Sequence, residues 1–258
     1  MHQALAGEIL TKTDFRVPQH ATVDLSGLRV EDVVARGKHI LIRIGPDVTL
    51  HTHFKMEGEW HLYKPGARWR VPAWQVRVVL VTEPRMAVGS RLAVVELVER
   101  DRETDIVGHL GPDLLGPDWD PALALANMSA CPEAPIGETL LDQRMIAGLG
   151  NVYKSEICFL AGIDPWTPTG RVADLGRVIA LAKRLMEANR STGMQITTGI
   201  DVKGRRRWVY GRGQEPCRRC GTPIERSAEP GERVTYWCPG CQPARAAPQG
   251  ADLAPESG

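Results

Sequence analysis

No apolar run in this 258-residue chain approaches the roughly 20 residues a membrane-crossing helix needs. The opening residues carry neither a basic stretch nor a long apolar core, so a secretory leader is not expected and the cytoplasm is the expected location. No segment recurs at a fixed period, which excludes a solenoid. Neither sign of charge dominates: 32 Lys and Arg stand against 31 Asp and Glu, a formal charge of +1. A helix cap is missing at the start as well. In MHQALAGEIL the residues His2, Leu5, Ile9 and Leu10 fall at helical spacing. No Ser, Thr, Asp or Asn precedes them to take up the first unpaired backbone N–H groups.

What is present is an ordinary globular composition, 43% hydrophobic and 24% charged, long enough for about two domains. HILIRI (39–44), VTLHTHF (48–54), WQVRVVLVT (74–82) and RLAVVELV (91–98) are rich in β-branched residues. Turns such as Gly45-Pro46-Asp47 and Gly89-Ser90 separate them, and the spacing suggests a sandwich or barrel. At LGPDLLGPDWDP (110–121) the character changes, and helical patterns follow at 136–148, 149–162 and 174–189. The clearest is the last, with Leu175, Val178, Ile179, Ala182, Leu185 and Met186 on one stripe and Asp174 placed to cap it. The Ala-, Pro- and Gly-rich tail 243–258 has little to bury and is expected to be disordered.

Six cysteines divide into two kinds. Cys131 and Cys158 stand alone and read as small buried hydrophobes. Cys217 with Cys220, and Cys238 with Cys241, form two CxxC pairs seventeen residues apart. In a cytoplasmic chain this spacing favours one tetrahedral zinc over a disulfide or redox pair, on a hairpin carried by VTYW (234–237). With four thiolates the zinc has no open position, so it holds shape and takes no part in chemistry. The surrounding segment is locally basic, with nine Lys or Arg against five Asp or Glu between Asp201 and Cys241. Arg233, between the knuckles, suits phosphate recognition but reads equally as an ordinary exposed arginine.

Several stretches then point one way. LLDQRMIAGLGNVYKSEICFLAGIDP (140–165) resembles the helix–two-turn–helix of the bacterial formamidopyrimidine-DNA glycosylase and endonuclease VIII family. VYGRGQEPCRRCGTPI (209–224) with ERVTYWCPGCQ (232–242) resembles its zinc finger. ARGKHILIRI (35–44), LHTHFKMEGEW (50–60) and HLGPDLL (109–115) resemble its N-terminal β-sandwich. The resemblance implies an α+β fold: an antiparallel β-sandwich catalytic domain (1–115), a helix–two-turn–helix domain (116–208) and a β-hairpin zinc finger (209–242). It implies a DNA glycosylase and abasic-site lyase of base-excision repair, acting as a monomer on damaged double-stranded DNA. The location implied is the bacterial nucleoid, away from any membrane.

Site residues carry over where the motif agrees. Asn151 would bind backbone phosphate through its amide and the neighbouring main-chain N–H groups. Arg233 matches the finger arginine that holds phosphate and serves the elimination step. Lys38 matches the lysine pointing into the active site, which binds phosphate and supports proton transfer. Met56 matches the wedge that fills the stack when the damaged base flips out, though it also reads as a core strand residue. Lys55 beside it would touch the backbone. His51 and His53 alternate on one strand face and tempt a metal reading, but no third ligand is evident and they read as sheet-face residues. The segment 96–113 lacks the Asp-Pro-Arg-Arg-Phe-Gly motif of the formamidopyrimidine branch, which points to the endonuclease VIII branch and oxidised pyrimidines.

In this family the nucleophile is an N-terminal proline, followed by a catalytic glutamate. The proline amine attacks the sugar, and the glutamate protonates the ring oxygen. Neither residue opens this chain, and about fifteen residues are expected to be absent before Met1. Two readings follow from that: a glycosylase-lyase written with a shortened head, or a non-catalytic DNA-damage-binding protein.

Overall fold

Two four-stranded antiparallel sheets form, four of their strands from the β-branched runs and four from segments not expected as strands. Gly89-Ser90, expected as a turn, lies inside the strand Met86–Ser90, where both residues pair with neighbouring strands. The computed structural model describes residues 1–55, 57–228 and 233–244, which fall into two compact units, Met1–Asp118 and Trp119–Gly258. In the first unit a one-turn helix α1 (His2–Leu5) precedes β1 (Lys12–Phe15), β2 (Val30–Arg36), β3 (His39–Ile44) and β4 (Val48–His53). Then come β5 (Glu59–Tyr63), β6 (Val76–Val81), β7 (Met86–Ser90), β8 (Val94–Glu99) and a short α2 (Glu103–Val107). The sheet orders are β1-β6-β7-β5 and β2-β3-β4-β8.

The sheets share one core. Ile42, Ile44, Leu50 and Val95 from one meet Phe15, Val78, Leu80 and Ala87 from the other, all less than 5% exposed. Burying side chains of this size contributes about 1.5–3 kcal/mol each. Alternation along β3 and β4 turns the intervening residues His39, Arg43, Thr49, His51 and His53 to the opposite face. There Arg43 pairs with Glu103 at 2.7 Å, and Thr49 donates to the same carboxylate.

The helical spacing of the opening residues extends only through α1. Met1 supplies no side-chain cap, Gly7 turns the chain at φ +85°, and Ile9 bridges Arg29 as extended backbone. Leu5 and Leu10 both reach the sandwich core.

The second unit contains α3 (Pro121–Ser129), α4 (Ile136–Thr139), α5 (Asn151–Ala161), α6 (Leu175–Ala188), β9 (Glu225–Ser227) and β10 (Thr235–Trp237). Asp174 caps α6 by accepting the N–H of Arg177 at 2.8 Å. Val178, Ile179, Ala182 and Leu185 form its buried stripe, with Leu175 and Met186 half-buried beside them. The helix expected over 136–148 ends at Thr139 instead. Gln143 donates to the carbonyls of Leu141 and Leu149 and accepts the N–H of Gly148, and Asp142 accepts the N–H of Arg144. These local side-chain bonds compete with the helical ladder and fold the segment into turns. Gly162 ends α5 in a left-handed conformation at φ +69°, with Ile163 N–H bonded back to Cys158.

Among the described residues no helix is long and apolar enough to cross a membrane. The expectation of a disordered tail falls, for 245–258, outside the described residues.

Candidate nucleic-acid interface and metal centre

The four paired cysteines converge. One ligand atom from each of Cys217, Cys220, Cys238 and Cys241 lies within 4.8 Å of every other, the one such cluster of three or more candidate ligands among the described residues. The sulfurs of Cys217 and Cys241 are 3.9 Å apart, and those of Cys220 and Cys238 are 3.4 Å apart. A Zn–S bond of about 2.3 Å puts tetrahedral sulfurs about 3.8 Å from one another, so the set fits a structural zinc. The Thr222 hydroxyl and backbone N–H beside Cys220, followed by Cys238 and Cys241, draw its thiol down to about 6, while burial pushes the Cys238 thiol up and the Cys241 thiol up to about 12. The knuckles hang on the β9–β10 hairpin, in which Tyr236 faces Arg226. The lone Cys158 is buried, and that burial pushes its thiol up to about 12, an inert side chain; Cys131 is half-buried.

The finger packs on α5. Phe159 shares a cluster with Val209, Cys217, Ile224 and Cys238, and the Arg219 guanidinium lies 4.4 Å from the Phe159 ring centre. Gln242 ties the second knuckle to the helix end, accepting from Cys238 N–H and donating to the Ile163 carbonyl.

Asn151 is the first residue of α5, behind Gly150, and the helix start carries no side-chain cap. Uncapped first-turn N–H groups and the positive end of the helix dipole suit an anion. The Asn151 side chain also has a structural bond that the sequence gives no sign of: its Nδ2 donates to the Val234 carbonyl at 2.7 Å. Its Oδ1 is buried with no hydrogen-bond partner among the described residues. Arg233, the residue before Val234, is exposed. The second unit thus places Asn151 and the backbone carrying Arg233 side by side, with Lys154 of the same helical turn bonded to Thr235.

In the first unit Lys38 occupies the turn between β2 and β3. The preceding Gly37 takes φ +58°, and its N–H donates to buried Asp113 at 2.6 Å. Lys55 follows β4 with φ +50°, its N–H donating to His53 Nδ1 at 2.9 Å. Met56 lies outside the described residues.

Lys38 and Lys55 flank a histidine group larger than the two residues singled out in the sequence. Cross-strand pairing puts His39 opposite His53, with the ring centres 4.7 Å apart, and His39 Nδ1 lies 2.8 Å from His51 Nε2. Buried His51 meets Glu96 through Nδ1 at 3.0 Å. Burial, then the neighbouring His53, His51, His109 and Lys38, push His39 down to about 4. Burial, then Lys38, His51 and Lys55, lower His53 as well. A third histidine is therefore present, but His39 and His51 spend their facing nitrogens on each other, an arrangement for hydrogen bonding and not for a metal.

Nothing in the sequence marks Glu96 or Lys154, and His39 was not singled out. For His39 the signal was available: strands joined by a turn at Gly45-Pro46-Asp47 bring positions 39 and 53 opposite each other.

Comparison with known proteins agrees along the chain. Residues 2–97 match the formamidopyrimidine-DNA glycosylase N-terminal domain, 110–198 match the formamidopyrimidine-DNA glycosylase H2TH domain, and 214–244 match the zinc finger found in FPG and IleRS. A probable endonuclease 8 2 of Streptomyces coelicolor is 53% identical over 249 residues, covering 94% of this chain and 89% of that one. A DNA-(apurinic or apyrimidinic site) lyase Nei2 of Mycolicibacterium smegmatis is 48% identical, covering 95% and 94%. In fold, the chain is similar to a Lactococcus lactis Fpg solved with abasic-site DNA, with TM-score 0.74 and 23% identity over 94% of this chain and 95% of that one.

Proposed function

Because this chain belongs to the formamidopyrimidine-DNA glycosylase and endonuclease VIII family, we propose that it is a base-excision DNA glycosylase with abasic-site lyase activity. Its substrates are oxidised bases in duplex DNA, oxidised pyrimidines foremost. The observation that carries this reading is the bond from Asn151 to the Val234 carbonyl, which puts two candidate phosphate ligands, Asn151 and Arg233, on one rigid piece of the second unit. An exposed arginine on backbone that is bonded to an uncapped helix start suits the binding of backbone phosphate.

In this reading Asn151 and Arg233 grip the backbone around the damaged nucleotide, and Lys38 and Lys55 add positive charge in the first unit. The target base must leave the stack for its glycosidic carbon to be reached, and Met56 fills the gap it leaves. The zinc holds the finger strand and stays out of the chemistry. A cytosolic, nucleoid-associated location goes with such a substrate.

Borohydride trapping on an abasic-site duplex tests the proposal. The chain beginning at Met1 is compared with a form that begins Met-Pro-Glu, as the family's catalytic head does. A covalent adduct with the longer form is the expected result. Tight binding of the duplex by both forms with an adduct from neither would replace the enzyme reading with a non-catalytic damage-binding protein.

A further inference from the structure

We propose that Lys154 is a positioning residue that sets Arg233 against Asn151, so that the two hold one stretch of DNA backbone together. The proposal rests on the phosphate-binding reading of Asn151 and Arg233.

One turn of α5 holds four consecutive finger residues. Lys154 Nζ donates to the Arg233 carbonyl at 3.4 Å, and Asn151 Nδ2 donates to the Val234 carbonyl at 2.7 Å. Lys154 Nζ also donates to Thr235 Oγ1 at 2.6 Å, and Tyr236 N–H donates to Ser155 Oγ at 3.4 Å. Thr235 Oγ1 in turn donates to the Arg233 carbonyl at 3.1 Å, which closes a small ring of bonds under the arginine. The backbone of residue 233 is thereby fixed while its side chain stays exposed.

Lys154 is 3% exposed, in a helix whose residues from Val152 to Phe159 are all buried. Burying an ammonium carries a desolvation cost that an apolar side chain of the same length avoids. Filling volume therefore does not explain a lysine here. Reaching two oxygens on either side of Val234 does, because only a donor at the end of a long side chain satisfies both. Zinc cannot supply this placement alone: its nearest ligand along the strand, Cys238, lies five residues beyond Arg233.

The zinc-loaded full chain is titrated by fluorescence anisotropy against a duplex bearing a tetrahydrofuran abasic-site analogue, at salt from 50 to 200 mM. R233A and N151A are each expected to weaken binding by about tenfold, the scale of one charge-assisted bond. K154M and T235V are expected to weaken it by roughly five- to tenfold, with zinc content unchanged. The double variant K154M/R233A should bind no more weakly than R233A alone, because Lys154 acts through Arg233. T235V alters no charge, yet the slope of log K against log salt should fall by about 0.9, one phosphate contact; a residue with a merely structural role would leave that slope unmoved. If R233A weakens binding while K154M and T235V match the wild type, or if the losses multiply in the double variant, the positioning role is overturned and the phosphate reading stands. If R233A and N151A both bind like wild type, the phosphate reading itself fails. Should K154M lose its zinc, T235V decides, since it changes no residue of α5 and keeps the Lys154 charge.

Discussion

Glu156 offers the sharpest test of how the second unit is held together. It is fully buried, and its two oxygens accept the N–H groups of Trp208, Val209 and Tyr210, each at 2.8 Å, together with the Thr197 hydroxyl. Glu156→Gln keeps the shape and removes one acceptor oxygen. The remaining oxygen serves Val209 and Tyr210, and an NH2 group then faces Trp208 and Thr197. The hydroxyl can rotate to accept, but the Trp208 N–H cannot, and an unmet buried donor costs about 1–3 kcal/mol. The bonds that survive lose their charge assistance, which takes each from about 1.5–3 kcal/mol toward about 1. The total is on the order of 3 kcal/mol, and for a chain of this size that lowers the melting temperature by roughly 6–12 °C. Thermal unfolding of the zinc-loaded protein, followed by circular dichroism, measures it. Because Val209 packs in one cluster with Cys217, the variant should also lose zinc to a chelator faster. A melting temperature within about 2 °C of wild type would refute the reasoning.

Stripping the zinc with a strong chelator should unfold the hairpin bearing Arg233 and remove most affinity for abasic-site DNA, because a ribbon this small takes its stability from the metal; unchanged affinity after proven zinc loss would contradict it. His39 gives a pH prediction. Its imidazole, held down to about 4 from 6.5 by burial first and then by neighbouring positive groups, is neutral in the fold. A lowered histidine pKa contributes stability that is whole above pH 6.5 and lost as the pH falls toward 4. Urea unfolding midpoints across that window should therefore fall less steeply for His39→Gln than for wild type, and parallel curves would show that His39 is not the group responsible.

The parts of this protein that a reader can find in the sequence are those written locally. The zinc ligands come as two short knuckles whose spacing is itself the signal. Helix α6 announces itself through a 3.6-residue stripe and an Asp174 cap, and both are present. Four of the eight sandwich strands, β3, β4, β6 and β8, follow from β-branched runs, with ends shifted by a few residues: the run at 74–82 becomes strand only from Val76. The other four lie outside those runs, and β7 absorbs the Gly89-Ser90 pair that reads as a turn. The helix expected over 136–148 fails for an equally local reason, because Asp142 and Gln143 offer the backbone better partners than the helical ladder does.

What could not be read depends on what packs against an element. Lys154 and Glu156 lie two residues apart on α5, about 200° apart around the axis, so any one-sided amphipathic reading must leave at least one of them in water. Both are buried. The helix is covered on two sides, by the finger strand 233–236 over Lys154 and by the segment 208–210 against Glu156. A helix covered all round is ordinarily apolar all round. This one is not, because its neighbours are backbone that has left regular structure and needs donors and acceptors. The Trp208–Tyr210 N–H groups require an acceptor, and the Arg233 carbonyl, just ahead of β10, requires a donor. Two polar residues on opposite sides of the helix are thus the partners of two segments, one leading into the zinc finger and one presenting its arginine. The same logic makes His51 more than a sheet-face residue. Its partner Glu96 sits 45 positions away, and only the register of β4 on β8 brings the two together.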